Sequence, residues 1–381
     1  MMVRRAFSAL LIGGLILTLF AISQAQVDGR QIEEVIKKSV LTQEDFAVID
    51  AFAADAIGRL VRTVDFTEVA RTRASIVGHQ SAQVQYAQRF SDACFREIDK
   101  GFNYAAGEII DPQRRFKVFT NLLILVTELN DPRLVDLGVR MIGHEANAVR
   151  YWAIRAATNP TVWEKLNQDR AGAAATAGKI IDACNKVADS SSAEVLHLMA
   201  QFAGTQSTPP AEELLLRIAD ARIKRYADWQ VKYELVDTAI LRLLSNKITA
   251  GGASSAQLAR QFAQLYSYAI QRYIRGAKDN AFKGLSRNYL ATVLIETEEQ
   301  CLSKLLGGTQ TGIRRALEAG DLNALQAEHD RLLGGANQPG ALPGRFGFNY
   351  GDGTTSRSAP LALPEPAKPE TITEAQPAEQ S

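Results

Sequence analysis

The stretch NAVRYWAIRAATNP, residues 147–160, has the most regular pattern in the chain and decides the expected fold. Its apolar residues recur at helical spacing and mark one buried face, formed by Val149, Trp152, Ala153 and Ala156. Asn147 occupies the position of an N-cap, and Asn159-Pro160 ends the pattern. The stretch therefore predicts a short amphipathic helix in which Trp152 is deeply buried.

Similar patterns fill most of the chain. From Gln31 to Leu333, apolar residues recur three and four positions apart and hardly ever alternate as a strand requires. Capping side chains precede many of these helical patterns, at Thr42, Asp111, Asp131 and Thr208. Leu-Leu-Gly-Gly at 305–308 and 332–335 is typical of helix ends, where glycine takes the left-handed conformation. The predicted fold is all-α.

The residues around the first stretch resemble a HEAT or armadillo-type repeat. Residues 123–160 read as helix, NDP turn, short helix, HEAN turn and helix, and Asn147, Val149, Arg150 and Ala153 occupy the family's positions in the second helix. The resemblance implies antiparallel helix pairs stacked into a superhelix, with Arg150 paired to an acidic or amide group of an adjacent repeat. Such arrays expose a concave binding surface. No fixed period runs along the whole chain, so the expected array is irregular.

Helix length and composition divide the chain into four parts. Residues 1–25 read as a signal peptide, 26–222 as an array of short HEAT-like helices, and 223–333 as a longer-helix bundle continuous with that array. Residues 334–381 hold seven of the twelve prolines and predict a disordered tail, whose removal is expected to leave melting nearly unchanged. Within this tail, three alternating aromatic residues predict a docking segment, namely Phe346, Phe348 and Tyr350.

The first residues predict export. A positive start, MMVRR, precedes an apolar run and a small-residue cleavage site, SQA, so the mature chain is expected to begin at Gln26 in the periplasm or outside the cell. The alternative is an uncleaved N-terminal membrane anchor, since the apolar run has 17 residues. The 43 basic and 42 acidic residues give a net charge of +1, which argues against nucleic acid as a partner.

Three isolated motifs suggest chemistry, and each has a simpler interpretation. Glu194 and His197 form an ExxH at the spacing of di-iron bundles, but no second ExxH follows, and both are expected on a solvated face. The His329-Asp330 pair resembles that of metal-dependent phosphohydrolases but lacks an upstream histidine in a suitable context. Residues 262–290 mix aromatic and basic side chains, which the spacing divides into a core stripe and a solvated edge of Arg272, Arg275 and Lys278.

The three cysteines have no metal-binding or redox spacing. Cys94, Cys184 and Cys301 lie at least ninety residues apart, within helical patterns, and are expected as small buried residues; whether two of them pair stays open. The sequence thus predicts no catalytic residue, no cofactor and no metal. It favours an exported, non-enzymatic scaffold that binds a protein or an envelope polymer. The alternatives are an envelope enzyme with a site assembled from distant residues, and a self-assembling structural component of the envelope.

Overall fold

The computed structural model describes residues 29–279, 286–336, 338–351 and 354–366. These residues are almost entirely helical, which confirms the all-α prediction. The chain divides into two compact units, the first ending at Leu137 and the second beginning at Gly138. The predicted signal peptide and residues 367–381 lie outside the described residues.

The first unit is a set of amphipathic helices around an aromatic core. Its helices are α1 Gly29–Ile36, α2 Gln43–Arg62, α3 Phe66–Gly78, α4 Val84–Gly107 and α5 Pro112–Leu129. The long helices α2 and α4 pack along each other, and their contact is lined by Phe52, Tyr86 and Phe90, whose rings stack. A 3-10 turn, Pro132–Leu134, leads into α6 Val135–Met141, where the division between the units falls.

Side-chain caps begin these helices where the sequence predicts them. Thr42 accepts a hydrogen bond from the Asp45 backbone, and the Asp45 carboxylate accepts one from the Thr42 backbone at 2.9 Å, which completes a capping box. Asp111 and Asp131 cap α5 and the 3-10 turn by accepting from backbone N–H groups two residues ahead. Thr208 is also an N-cap residue, but its side chain makes no capping bond.

The second unit is built from helices of unequal length. Four of them are α7 Asn147–Ala157, α8 Pro160–Leu166, α9 Arg170–Val187 and α10 Ala193–Thr205. The next four are α11 Pro209–Ala227, α12 Val236–Ala250, α13 Ser255–Lys278 and α14 Ser286–Thr297. Helix α7 packs on α10, α10 packs on α11 and α12, and both α11 and α12 pack on α13. The predicted boundary at 222–223 lies inside α11, which continues to Ala227.

A buried ion pair joins α11 to α12. Arg222 and Asp237 are both fully buried, with Nε–Oδ1 at 2.6 Å and Nη2–Oδ2 at 2.9 Å, and the Tyr226 hydroxyl donates to the same carboxylate at 2.8 Å. Burial works against the charge on Arg222, but the carboxylate outweighs it and raises the pKa of the guanidinium. The pair encloses a loop, residues 228–235, between the two helices.

The remaining helices pack at the end of α14. A π-helical turn, Glu298–Leu302, leads into α15 Ser303–Leu306, followed by α16 Gly312–Ala319 and α17 Leu322–Leu333. Glu298 is fully buried, and its carboxylate accepts from the backbone of Ile313 at 2.7 Å and of Arg314 at 2.9 Å. Burial raises the pKa of Glu298, although these two bonds oppose the rise. Glu298 therefore caps α16 from another element.

The proline-rich end of the chain packs on α13 and α17 as far as it is described. It contains a short antiparallel pair, β1 Gly334–Gly335 and β2 Gln338–Pro339, and α18 Ala341–Phe346. Leu342, Tyr350 and Leu363 are buried, and the Tyr350 hydroxyl donates to the Leu333 carbonyl at 2.7 Å. Of the three aromatic residues predicted to dock, Tyr350 is buried, while Phe346 and Phe348 are half-buried. The described residues between 334 and 366 therefore pack on these helices, and removing them would uncover part of the core.

Candidate binding groove

Helix α13 carries a polar face although most of the helix is buried. Gln264, Ser267 and Gln271 stand at i, i+3 and i+7, which places them on one side of the helix. Gln264 is 6% exposed and Ser267 is fully buried. The opposite side holds the predicted core stripe, and every member of it is buried: Phe262, Leu265, Tyr266, Ala269, Ile270 and Tyr273. The polar face is therefore covered by another part of the chain.

Residues 358–366, here called the C-terminal segment, lie along this face. Gln264 bonds both backbone groups of Leu361, with Oε1 accepting from its N–H at 2.8 Å and Nε2 donating to its carbonyl at 3.3 Å. Gln271 Nε2 donates to the same carbonyl at 3.0 Å, and its Oε1 accepts from the Leu363 N–H at 2.6 Å. These two glutamines, the amide pair, bind a non-helical backbone in the way that a neighbouring strand would.

A chain of hydrogen bonds fixes the orientation of Gln271. Its Nε2 also donates to Ser267 Oγ at 2.8 Å, and that oxygen lies 2.8 Å from His329 Nε2 of α17. His329 Nδ1 lies 2.8 Å from Asp330 Oδ1, and since a carboxylate only accepts, Nδ1 carries the proton and Nε2 accepts from the serine hydroxyl. Burial lowers the pKa of His329 against the opposing effect of Asp330, which favours this neutral ring.

The loop between α11 and α12 closes one end of the groove. Trp229 and Tyr233 have left-handed backbones, with φ of 59° and 55°, a conformation that is costly for bulky residues and concentrates at functional sites. Arg272 and Arg275 lie over the Trp229 ring, 5.5 and 5.6 Å from its centroid. The Pro364 carbonyl accepts from Trp229 Nε1 at 2.9 Å and from Arg275 Nη1 at 2.7 Å. The strained loop thus holds the backbone of the C-terminal segment.

The solvated edge predicted for α13 is only partly correct. Lys278 is exposed as expected, but the side chains of Arg272 and Arg275 are only 17% and 28% exposed. Both guanidinium groups lie over the Trp229 ring, and that of Arg275 also donates to the C-terminal segment. The spacing of residues within one helix could not indicate these contacts. We define the α13 groove as Gln264, Ser267, Gln271, Arg275 and Trp229.

A cleft of about 370 Å³ opens beside the groove. It lies between α11, α13 and the C-terminal residues, and Asp220, Ile223 and Arg260 contribute to its lining. Arg260 Nη1 donates to the carbonyl of Gly351 at 3.1 Å, where the chain turns back towards the groove. Desolvation raises the pKa of Asp220, and the positive charge of Arg260 opposes this rise. The cleft therefore presents both signs of charge next to the C-terminal segment.

Ser267, His329 and Asp330 form a hydroxyl, imidazole and carboxylate series of the kind that hydrolases use. Ser267 lies inside α13, where neighbouring backbone N–H groups bond within the helix instead of facing an oxyanion. Its oxygen also accepts from Gln271. The arrangement therefore suits the positioning of Gln271 better than nucleophilic attack.

The predicted repeat positions are structural, and one of them is misplaced. Val149 and Ala153 are fully buried, as expected. Trp152 is only half-buried, with its ring 5.6 Å from that of Tyr151 and the Arg155 guanidinium 5.2 Å from its centroid. The buried face of α7 turns away from Trp152 because it is formed by Val149, Arg150, Ala153, Ile154, Ala156 and Ala157.

Asn147 and Arg150 connect α7 to the turn before α10. Asn147 does not cap α7, since the N-cap is the preceding residue; instead its Oδ1 accepts from the Ser192 backbone at 2.8 Å. Arg150 is 7% exposed and donates to Ser190 Oγ at 2.9 Å and to the His144 carbonyl. Burial lowers the pKa of Arg150. These partners are a serine hydroxyl and a backbone carbonyl, whereas the resemblance implied an acidic or amide group.

The other isolated motifs remain separate from the groove. Glu194 and His197 are half-buried on α10, and burial, with the charge of Arg242, lowers the pKa of His197. The described residues contain no group of three or more side chains arranged to hold a metal. All three cysteines are buried free thiols, and burial raises the pKa of Cys184 to about 12 and of Cys301 to about 11. Such thiols are poor nucleophiles.

The α13 groove was missed in the sequence. Gln264 and Gln271 stand two helical turns apart among aromatic and aliphatic residues, and this spacing of two amides is the sequence feature that could have indicated the groove. Their partners follow 90 to 97 residues later, in a stretch whose composition indicates disorder. None of the described helices is both long and apolar enough to cross a bilayer. No protein-family model, curated protein or solved structure matches this chain.

Proposed function

We propose that this chain is an exported, non-enzymatic helical scaffold that binds another protein by taking an extended segment into the α13 groove. The observation that carries the proposal is the amide pair, which bonds three backbone groups of a non-helical chain. The HEAT-like character of residues 123–160 and the signal pattern of residues 1–25 are consistent with a scaffold outside the cytosol, and both remain predictions.

The groove recognises backbone instead of a particular side chain. In an extended chain, alternate residues direct their backbone groups to the same side, so Leu361 and Leu363 can both reach α13. A glutamine amide offers a donor and an acceptor together, which matches the carbonyl and N–H of a peptide unit. Recognition modes of this type take affinity from main-chain bonds and specificity from the side chains that fit pockets beside them. A protein partner fits this chemistry better than a polysaccharide, which has no N–H and carbonyl groups at this spacing.

In-cell photo-crosslinking tests the proposal. A photoreactive residue replaces Ile223, which lines the cleft, and in a matched control replaces Lys224, the exposed next residue of α11. We expect a heterologous protein adduct from position 223 that disappears when Gln264→Ala and Gln271→Ala are combined. The same adduct from position 224, or an adduct unaffected by the glutamine changes, would refute the groove as the binding surface. An adduct between two copies would favour a self-assembling component.

A second candidate function, an envelope hydrolase, is favoured by the Ser267–His329 distance of 2.8 Å beside a polar cleft. An activated serine would react with a fluorophosphonate probe, and Ser267→Ala would abolish the labelling. We expect no labelling at Ser267, because its oxygen is bonded on both sides. Labelling that depends on both Ser267 and His329 would replace the scaffold proposal with the enzyme.

A further inference from the structure

We propose that the C-terminal segment is an internal competitor for the α13 groove, and that the partner's segment shares its pattern, an extended Pro-x-x-Leu. This inference rests on the proposed function and specifies its partner and regulation. The segment reads SAPLALPEP from residue 358 to residue 366, and it occupies the groove in cis.

Burial along the segment indicates which side chains matter. Pro360 and Leu363 are buried, whereas Leu361 and Ala362 between them are exposed. Glu365 lies 3.5 Å from Arg275 but its side chain is 90% exposed, so this ion pair contributes little. Two apolar side chains three positions apart and the backbone between them therefore define the ligand.

The segment is attached so that it can leave without unfolding α18. Tyr350 is anchored by its hydroxyl to Leu333 and by its N–H to the Arg357 carbonyl at 3.0 Å, upstream of the segment. The sequence Gly351-Asp352-Gly353 follows, and residues 354–357 are exposed. A tethered ligand of this kind acts at a high effective concentration, which a competing chain must overcome.

Release of the segment leaves polar groups that favour another backbone over an empty groove. Gln264, Gln271 and the Trp229 indole would lose the partners described above, and Gln264 and Ser267 lie in a largely buried setting. In the open groove water takes the place of these bonds, so a new occupant has to offer the same backbone groups to displace it. A second, matching segment supplied in trans meets that requirement.

Binding of a labelled SAPLALPEP peptide to the full chain tests the inference. We compare the wild-type chain with Leu363→Asp, which removes the buried side chain of the internal segment, and with Leu361→Asp as a matched control at an exposed leucine. We expect Leu363→Asp to bind the peptide at least about tenfold more tightly than either, because it raises the fraction of open grooves. Adding Gln264→Ala and Gln271→Ala should abolish the gain, and circular dichroism monitors the fold of each variant.

Three outcomes would overturn the inference. They are equal peptide affinity in Leu363→Asp and Leu361→Asp, no binding to any variant, and binding of a control peptide with aspartate at the Leu363 position as tight as that of SAPLALPEP. If these occur while the crosslink from position 223 persists and depends on the glutamines, the groove binds a partner of another pattern and the proposed function stands. If the peptide binds as expected but no partner adduct forms in cells, the proposed function fails instead.

Discussion

At the scale of single residues, the second unit depends on polar side chains that join its elements. The Arg222–Asp237 pair, the Glu298 cap and the Asn147 contact to Ser192 each join elements that are distant in sequence. Burying a charge is unfavourable unless its partner remains in place, so removing one member is far more harmful than losing an exposed pair. Each of these contacts fixes a loop or a helix start, and the Arg222–Asp237 pair fixes the loop that carries Trp229.

The Arg222–Asp237 pair predicts a large effect on stability. Asp237→Asn leaves the Arg222 charge buried without a carboxylate, and we expect it to lower the free energy of unfolding by about 3–5 kcal/mol. Asp189→Asn is the control, because its pair with Arg217 is at the surface and should contribute less than about 1 kcal/mol. Urea denaturation measures both. Similar small losses in the two variants would show that Arg222 is solvated in solution.

Tryptophan burial gives a second prediction. Trp163 is 8% exposed, donates from Nε1 to the Ala157 carbonyl at 2.9 Å and lies 5.1 Å from the Phe202 ring. Trp163→Ala should cost about 3–5 kcal/mol, whereas Trp152→Ala should cost about 1 kcal/mol, the value of an aromatic and cation–π contact. Thermal and urea unfolding distinguish the two. A larger loss at Trp152 would restore the helix register expected from the sequence.

At the scale of elements, the sequence predicted helices well and connections poorly. Helix starts at Thr42, Asp111 and Asp131 and helix ends at Gly307 and Gly334 were recognisable, because capping and left-handed glycine are local chemistry. The 228–235 loop was missed because its left-handed residues, Trp229 and Tyr233, are not glycine and carry no such signal. Its geometry is set by tertiary contacts, which override local propensity.

The contact between α13 and α17 predicts a pH dependence. Burial lowers the pKa of His329 below its usual 6.5, so the unfolded chain binds this proton more readily than the folded chain does. The stability linked to His329 is therefore complete above pH 6.5 and declines as the pH falls through the lowered pKa. We expect His329→Gln to show a shallower loss of unfolding free energy than wild type between pH 6.5 and about 5. Parallel curves of unfolding free energy against pH for the two proteins would show that His329 titrates alike in the folded and unfolded states.

At the scale of the molecule, the sequence predicts the fold class but not the candidate site. The all-α class followed from the spacing of apolar residues along the chain, since every amphipathic helix reports its own buried face. The α13 groove could not be read, because it joins Gln264 and Gln271 to backbone atoms of Leu361 and Leu363, and backbone groups are the same in every sequence. Low hydrophobicity at the C-terminal end indicated disorder, yet two well-placed apolar side chains and the amide pair hold it.

We propose that the C-terminal segment occupies a binding groove and can leave it while the helices stay folded. Native-state hydrogen exchange of the whole chain measures this directly, by comparing the Leu361 and Leu363 amides with core amides of α13 such as that of Tyr266. We predict that the two segment amides are protected but exchange through a local opening of much lower free energy than the core. If the segment amides exchange only together with those of α13, the segment is an integral part of the core. If they exchange as fast as in a free peptide, the segment does not occupy the groove. Either result would contradict this proposal.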